Sequence, residues 1–596
     1  MPKIREKTMT LTSRQMGQLV KVSLGEEKAD LAIINGTLLN VYTGELLPDH
    51  GVAIKGERIA YAGKDVGHSI GPETEVIDAA GKTLVPGFIE SHLHPDNYYT
   101  VYEFLRYCMR GGTTTAVAEW RDVFAHLGYR GIIEYLKSAT NQPIKLLAVV
   151  PSIEPGSTAA EANIVSVQEL RQLLMRHDVL GLGETFWQYV TQGDERVFEL
   201  FAETLASRKK LFGHASGARN NKLVAYLASG ISSCHESTTV EEALEKLRLG
   251  IYVLARQGEV RSDLEAISAI RHEGINLRRL VLVSDGVTPK HLVHNGHMEF
   301  LVQKAIDLGF DPVVAIQMAT INAAECLSLD SVIGGIAPGK YADIVVIPDI
   351  GTIRAEYVVS NGRVIARDGN LLVRPRRHNF PGWFLRNINL PGKLEAADFA
   401  VTVEGPHSEV TVRVIDQVTD LVTRDVRVTM PVSGGEVKVD VSKDILKVAV
   451  IDPRRQPGRM FVGLIRGFKM TRGAFATSRP RDSSNIVVVG ADEGDMALAV
   501  NRIAETMGGI VVCADGKILA ELPLPIAGSL TDMPLEAVAQ RLDDIQQEVA
   551  SLGSPFADSH LALVYLTCFA VPFLRISVDG LVDIRESKPV DFIVQD

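Results

Sequence analysis

Over residues 87–328 the sequence repeats one alternation eight times: a short apolar run of strand length, then a helical pattern. The runs end near His94, Trp120, Ser152, Glu184, His214, His235, Arg256 and Asp285. Such alternation predicts βα units around a parallel sheet. Eight units in roughly 240 residues is the size of a TIM-like (β/α)8 barrel. The helices are legible as well. After His235, the residues Val240, Ala243, Leu244, Leu247 and Ile251 fall on one face, and Thr238 with Glu241 has capping-box spacing.

The flanks read differently. The first eighty or so residues set apolar runs against turn pairs, such as 31–34 before Asn35-Gly36 and 52–54 before Lys55-Gly56, which is hairpin grammar. The same grammar returns in Tyr341-Ala-Asp-Ile-Val-Val-Ile347 and in the strands around Asn361-Gly362. The expectation is a small β-sandwich domain made of residues 1–85 and 331–380, interrupted by a barrel over 86–330. Past about residue 385 strands alternate again, as in Val410-Thr-Val-Arg-Val-Ile415, and then mix with helices. Residues 381–596 are therefore expected to form a C-terminal α+β domain. A helix through Leu535, Val538, Leu542, Ile545 and Val549 is expected to pack on its own sheet, because about two to three heptads are too few for a subunit seam.

A chain of 596 residues supports more than one core. Its net charge of −11 removes the broad positive field that nucleic-acid or anionic-lipid binding requires. No run approaches the roughly 18 apolar residues of a membrane span, and residues 1–10 mix charge with polarity instead of forming a signal segment. Five scattered cysteines without CxxC spacing predict neither a disulfide framework nor a zinc ribbon, which fits a reducing cytoplasm. No GxxxxGK[ST] loop occurs, so nucleoside-triphosphate chemistry at a phosphate loop is not expected.

Barrel enzymes carry their catalytic groups at the C-terminal ends of the strands. Five of the eight ends here bear metal-ligand side chains: His92 and His94, Glu184, His214, His235, and Asp285. His92 and His94 are two apart on a strand and point the same way. Any one of these residues alone is weak, since a single polar residue at a strand end is commonly just a satisfied one. In barrel order they become four imidazoles with two carboxylates, a set suited to two divalent ions bridged by Glu184. His291, His294 and His297, three apart, lack a partner glutamate at metal spacing and are expected to face solvent or cap a helix.

On Pro86-Gly-Phe-Ile-Glu-Ser-His-Leu-His94, Gly112-Thr-Thr-Thr115 and Gly339-Lys-Tyr-Ala-Asp-Ile-Val-Val346 the chain resembles the amidohydrolase superfamily. On Gly213-His-Ala-Ser-Gly217, Ala228-Ser-Gly-Ile-Ser-Ser-Cys-His-Glu236, Gln317-Met-Ala-Thr-Ile-Asn-Ala-Ala-Glu325, Asp495-Met-Ala-Leu-Ala-Val-Asn501 and Leu522-Pro-Leu-Pro-Ile-Ala-Gly528 it is similar to the adenine deaminase family within it. The resemblance implies hydrolysis of adenine to hypoxanthine and ammonia at a manganese or iron centre, with zinc a further candidate. Several family positions are replaced. Pro95-Asp-Asn-Tyr98 follows the HxH pair, Glu119-Trp-Arg-Asp122 ends the second strand, Cys234 and Gly286 stand where the family has Asp, and Arg481-Asp-Ser-Ser-Asn485 replaces its His-Asp-Ser-His-Asn.

The expected mechanism follows from metal activation of water, which brings its pKa to roughly 7. Asp285 is the candidate base and Glu184 the bridging carboxylate. Glu119, Arg121, Asp122 and Arg256 are candidates for hydrogen bonds to a small purine or, equally, for salt bridges at the barrel mouth, and Trp120 and Tyr98 are candidates to stack on it, although packing under a loop is the commoner role of such aromatics. The expected assembly is a homo-oligomer. Rival expectations are another amidohydrolase reaction on a different aminopurine or a cyclic amide, and a non-catalytic barrel scaffold.

Overall fold

The computed structural model describes residues 9–152, 165–258, 262–454, 456–481, 483–569, 571, 573–585 and 588–594. Residues 1–8, within the opening segment read above, and Asp482 lie outside them. Eight parallel strands form one sheet in chain order: Phe88–Leu93, Thr113–Glu119, Lys145–Val150, Val179–Phe186, Lys210–His214, Ser233–Cys234, Tyr252–Arg256 and Leu280–Val283. A parallel bridge between Leu93 and Asp285 joins the first strand to the segment after the eighth and closes the barrel.

Side chains alternate across this sheet. Ile89, Val117, Leu147, Leu180, Phe212, Leu254 and Val281 fill the interior, which helix Ile321–Cys326 helps plug from below. Their neighbours Phe88, Ala116, Leu146, Val253, Leu280 and Leu282 belong to the core outside the barrel. Both faces are buried, so the strands read as continuous apolar runs. Each such Val, Leu, Ile or Phe side chain contributes about 1.5–3 kcal/mol by leaving water. Helix Val240–Arg248 starts one residue later than its capping spacing implies. Thr239 is the N-cap and accepts the Glu242 N–H at 3.3 Å, while the Glu242 carboxylate takes the Thr238 N–H at 2.8 Å.

Strands from residues 31–86 and 344–371 share one nine-stranded sheet. In it Ile344–Ile347 lies antiparallel to Thr83–Pro86, the strand that runs directly into the barrel. A buried Lys145–Asp343 ion pair of 2.7 Å ties this sheet to the third barrel strand.

The C-terminal part is built on a ten-stranded sheet carrying helices Glu493–Glu505 and Leu535–Ser551. Leu535, Val538, Ile545 and Val549 are buried, and their helix packs on strand Lys517–Pro523 and on the barrel helix Pro289–Asn295. The apolar stripe is thus consumed within the chain. No helix among the described residues is long and apolar enough to cross a membrane.

This domain sits on the barrel's C-terminal rim. Tyr98–Tyr99, just past the first strand, pairs in parallel with Leu530–Thr531. Asp122 meets Arg479 at 2.8 Å. Burial, aided by the charge of Arg479, pushes His560 down to about 3, so its ring is neutral and bridges the Tyr98 hydroxyl (2.8 Å) and Thr477 Oγ1 (3.2 Å).

Of the three histidines spaced three apart, His294 is exposed as expected, and His297 takes the N-cap position of helix Met298–Asp307 without a capping bond from its ring. His297 is fully buried instead of solvent-facing, and lies 3.4 Å from the equally buried Glu90. Glu90 in turn accepts the backbone N–H of His92 (3.0 Å) and of Ser284 (2.8 Å), stapling the first strand to the eighth directly beneath the rim. Glu90→Ala removes the acceptor of two buried donors and is expected to cost about 3 kcal/mol, read as a lower urea midpoint. An unchanged midpoint would remove this staple from the account.

Candidate active site

The rim brings the predicted residues to one place, around Glu184. Its Oε1 lies 2.9 Å from His92 Nε2, 3.2 Å from His94 Nε2 and 3.2 Å from His235 Nε2, and its Oε2 lies 3.4 Å from His214 Nδ1. Asp285 Oδ1 is 3.5 Å from His92 and 3.4 Å from His94. His94 Nδ1 faces the Glu119 carbonyl at 2.9 Å, which turns Nε2 toward the centre. Tyr226 holds the backbone N–H of His214 at 2.9 Å.

Local geometry explains how Glu184 is presented. The Glu119 carboxylate accepts the Glu184 backbone N–H, at 3.0 and 3.2 Å to its two oxygens. That carboxylate fills the space beside Gly183, where an added Cβ would come within 2.4 Å of it, so glycine is required there. Asp285 adopts a left-handed backbone, φ +62°, an unfavourable conformation that Asp tolerates better than most residues. Its N–H reaches the His92 carbonyl (3.2 Å) and its carbonyl accepts the His94 N–H (2.6 Å), so the strand junction fixes the bend.

Charges in the site are compensated in sequence. Burial pushes the Glu184 carboxyl up, but His235, His214, His92 and His94, together with Arg121 at 2.7 Å, hold it well below the usual range. Burial likewise raises Asp285, and His92 and Arg256 outweigh it, keeping the acid ionised. Arg256 spans three carboxylates: Glu236 at 2.5 Å, Asp263 at 2.8 Å and Asp285 at 3.1 Å. They hold it charged against the cost of burial.

Glu236 is a residue that the strand-end reading passed over. It follows His235 directly, is buried, and stands 3.4 Å from His235 and 3.8 Å from His214. The signal was the segment Cys234-His-Glu236, quoted above only as a resemblance.

A cavity of about 80 Å³ opens over this cluster, and Arg121, Phe186, Glu236, Arg256 and Asp285 reach it from the barrel. Leu421, Arg481, Tyr565, Cys568 and Val571 reach it from the C-terminal domain. Among the four candidates for substrate contact, Arg121 and Arg256 line the cavity. Glu119 and Asp122 do not: one holds the Glu184 backbone and the other pairs with Arg479. Trp120 is fully buried against Tyr135, so it cannot stack on a ligand, whereas Phe186 borders both the cavity and the His214 ring.

The donors fit a divalent metal. Two groups, His92, His94, Glu184 and Asp285, and Glu184, His214 and His235, each keep their ligand atoms within 4.8 Å of one another. His92 Nε2 and His214 Nδ1 are buried and make no aligned hydrogen bond among the described residues. Imidazole nitrogens and carboxylate oxygens of this kind suit borderline first-row cations, and a cation satisfies atoms that burial otherwise penalises.

The amidohydrolase family model matches residues 83–368, and the adenine deaminase C-terminal domain model matches residues 420–588. An adenine deaminase of Moorella thermoacetica is 38% identical over 583 residues, covering 97% of this chain and 98% of that protein. One from Clostridium botulinum is 34% identical over 589 residues, 97% of each chain, and adenine deaminase 3 of Rhizobium meliloti is 34% identical over 586 residues, 97% and 98%. Likeness sustained over nearly the full length of both chains, around a rim that carries the metal-ligand set, makes this protein a member of the adenine deaminase family of amidohydrolases.

Proposed function

We propose that the chain hydrolyses adenine to hypoxanthine and ammonia, using two divalent cations, manganese first, held by His92, His94, Glu184, His214, His235 and Asp285. The observation that carries this reading is the convergence of four imidazoles from three barrel strands on the single carboxylate of Glu184. When bound, the cations supply the Lewis acidity that makes water a nucleophile near neutral pH.

The chain's own residues supply proton movement and orientation. Asp285 Oδ2 is fixed by Arg256, while Oδ1 faces the histidines. Oδ1 is therefore placed to take the proton of the attacking water and deliver it to the departing amine. Glu236, pinned by Arg256 and bordering the cavity, accepts a hydrogen bond from a ring N–H, and Phe186 offers an aromatic face. Arg121 holds Glu184 and lines the cavity beside it. Glu119 and Asp122 act through other residues, as supports of Glu184 and of the interdomain seam.

The same reading assigns residues 381–596 the part of a roof that excludes water, with 86–330 as the barrel and 1–85 plus 331–380 as the flanking β domain. It places a homo-oligomer in the cytoplasm, a location supported by five buried, free cysteines.

Dialysis against a chelator is expected to abolish ammonia release from adenine, and manganese to restore it. Across a panel of aminopurines and cyclic amides adenine is expected to turn over fastest. Ammonia release from another aminopurine, or amide cleavage without activity on adenine, would replace the substrate and leave the barrel chemistry standing. Asp285→Asn is expected to lower kcat by roughly 10²–10⁴-fold with metal content retained. Near-normal turnover in that variant would remove Asp285 as the proton carrier.

A further inference from the structure

A second concave region lies away from the metal cluster, where the barrel, the returning β domain and the C-terminal domain meet. It is a groove of about 480 Å³ into which Arg106, Arg110, Arg374 and Arg377 project. Arg106 is occupied, at 2.7 Å from Glu103 and 3.5 Å from Glu536. Glu103, the carboxylate in the lining, is buried and also takes the Leu535 N–H at 3.1 Å. Arg110, Arg374 and Arg377 make no ion pair among the described residues, in a chain whose net charge is −11.

Two of these guanidiniums are held in place by rings. Arg110 lies over Tyr107 at 4.1 Å and Arg377 over Tyr102 at 4.3 Å. Arg110 feels the charges of Glu536 and Glu299 without forming an ion pair with either, and the carboxylates nearest the groove are engaged by Arg106, so the gathered guanidiniums still repel one another and an oxyanion between them relieves that repulsion. Guanidinium forks match phosphate oxygens in pairs. A second hollow of about 330 Å³ adjoins the groove, sharing Tyr102 and Arg377, and its walls include Phe380, Leu385, Pro525 and Ile526. Asp532 is the carboxylate in that lining. The two hollows together are cationic at one end and mixed at the other, where Phe380, Leu385, Pro525 and Ile526 stand among polar groups that include Ser138, Arg376 and His378.

We propose that this junction binds a nucleoside phosphate, with the phosphates among Arg110, Arg374 and Arg377 and the ring in the hollow beside Phe380. The combined space is that of a typical small-molecule site. Thr100 and Val101, which border the second hollow, directly follow the Tyr98–Tyr99 strand that leads from His94. The site is therefore connected through one short segment to the metal rim.

Titration calorimetry of the full chain with ATP, with inorganic pyrophosphate and with adenosine tests this. ATP is expected to bind at least tenfold more tightly than either fragment. The combined R110Q, R374Q and R377Q variant is expected to lose at least tenfold in ATP affinity with an unchanged circular-dichroism spectrum. Should that variant misfold, R110Q and R374Q alone are each expected to weaken ATP binding at least threefold. Equal binding of pyrophosphate and ATP overturns the nucleoside assignment. ATP binding that survives all three substitutions, as it would if ATP entered the metal site, overturns the proposal outright, as does the absence of ATP binding.

Discussion

The carboxylate of Glu184 is the point on which the rest of the site depends. Four imidazole rings and one guanidinium stand within 3.4 Å of its two oxygens, all of them buried except His214, which stays partly exposed. A buried carboxylate is costly unless paired, and these partners must arrive from several strands at once. The barrel supplies that coincidence. Strand ends on a closed parallel sheet are neighbours in space although about 190 residues separate His94 from Asp285. Closure is itself enforced at the rim, since the Leu93–Asp285 bridge and the Glu90 staple join the first strand to the last exactly where the ligands leave it.

Around this point, each charge is positioned by another. Glu119 grips the backbone of Glu184, Arg256 aligns Asp285 and Glu236, and Asp263 anchors Arg256 from behind. The C-terminal domain completes the enclosure with Leu421, Arg481, Tyr565, Cys568 and Val571. Its contacts with the barrel loops, Tyr98 to His560 and Asp122 to Arg479, hold that cover over the cluster. A site closed to water strengthens every charge interaction within it, so the roof contributes to chemistry without supplying the reacting carboxylates.

The barrel, and the imidazoles and carboxylates that its rim brings together, were legible in the sequence because period and position carry them. A parallel strand buried on both faces leaves an apolar run, and a polar residue ending that run must sit at the rim. Other features leave no such mark. Glu236 lies one residue past a recognised ligand and follows no alternation of its own. Glu119 ends its strand like the ligands do, yet its carboxylate turns down to a backbone N–H because Gly183 leaves room there. His297 reads as a surface helix residue, but helix Met298–Asp307 begins against the barrel wall and takes it fully inside. The roof residues come from three separated stretches of the C-terminal domain whose meeting is a matter of tertiary packing alone. For Trp120 a strand end leaves both stacking on a ligand and packing under a loop open, and tertiary contacts decide for packing, against Tyr135.

The central claim is that these side chains share Glu184 between two cations. Anomalous diffraction at the manganese edge, from crystals of manganese-loaded protein, tests it most directly. The account predicts two peaks about 3.5–4 Å apart, one among His92, His94 and Asp285 and one between His214 and His235, with Glu184 touching both. A single peak, or peaks away from Glu184, would contradict it.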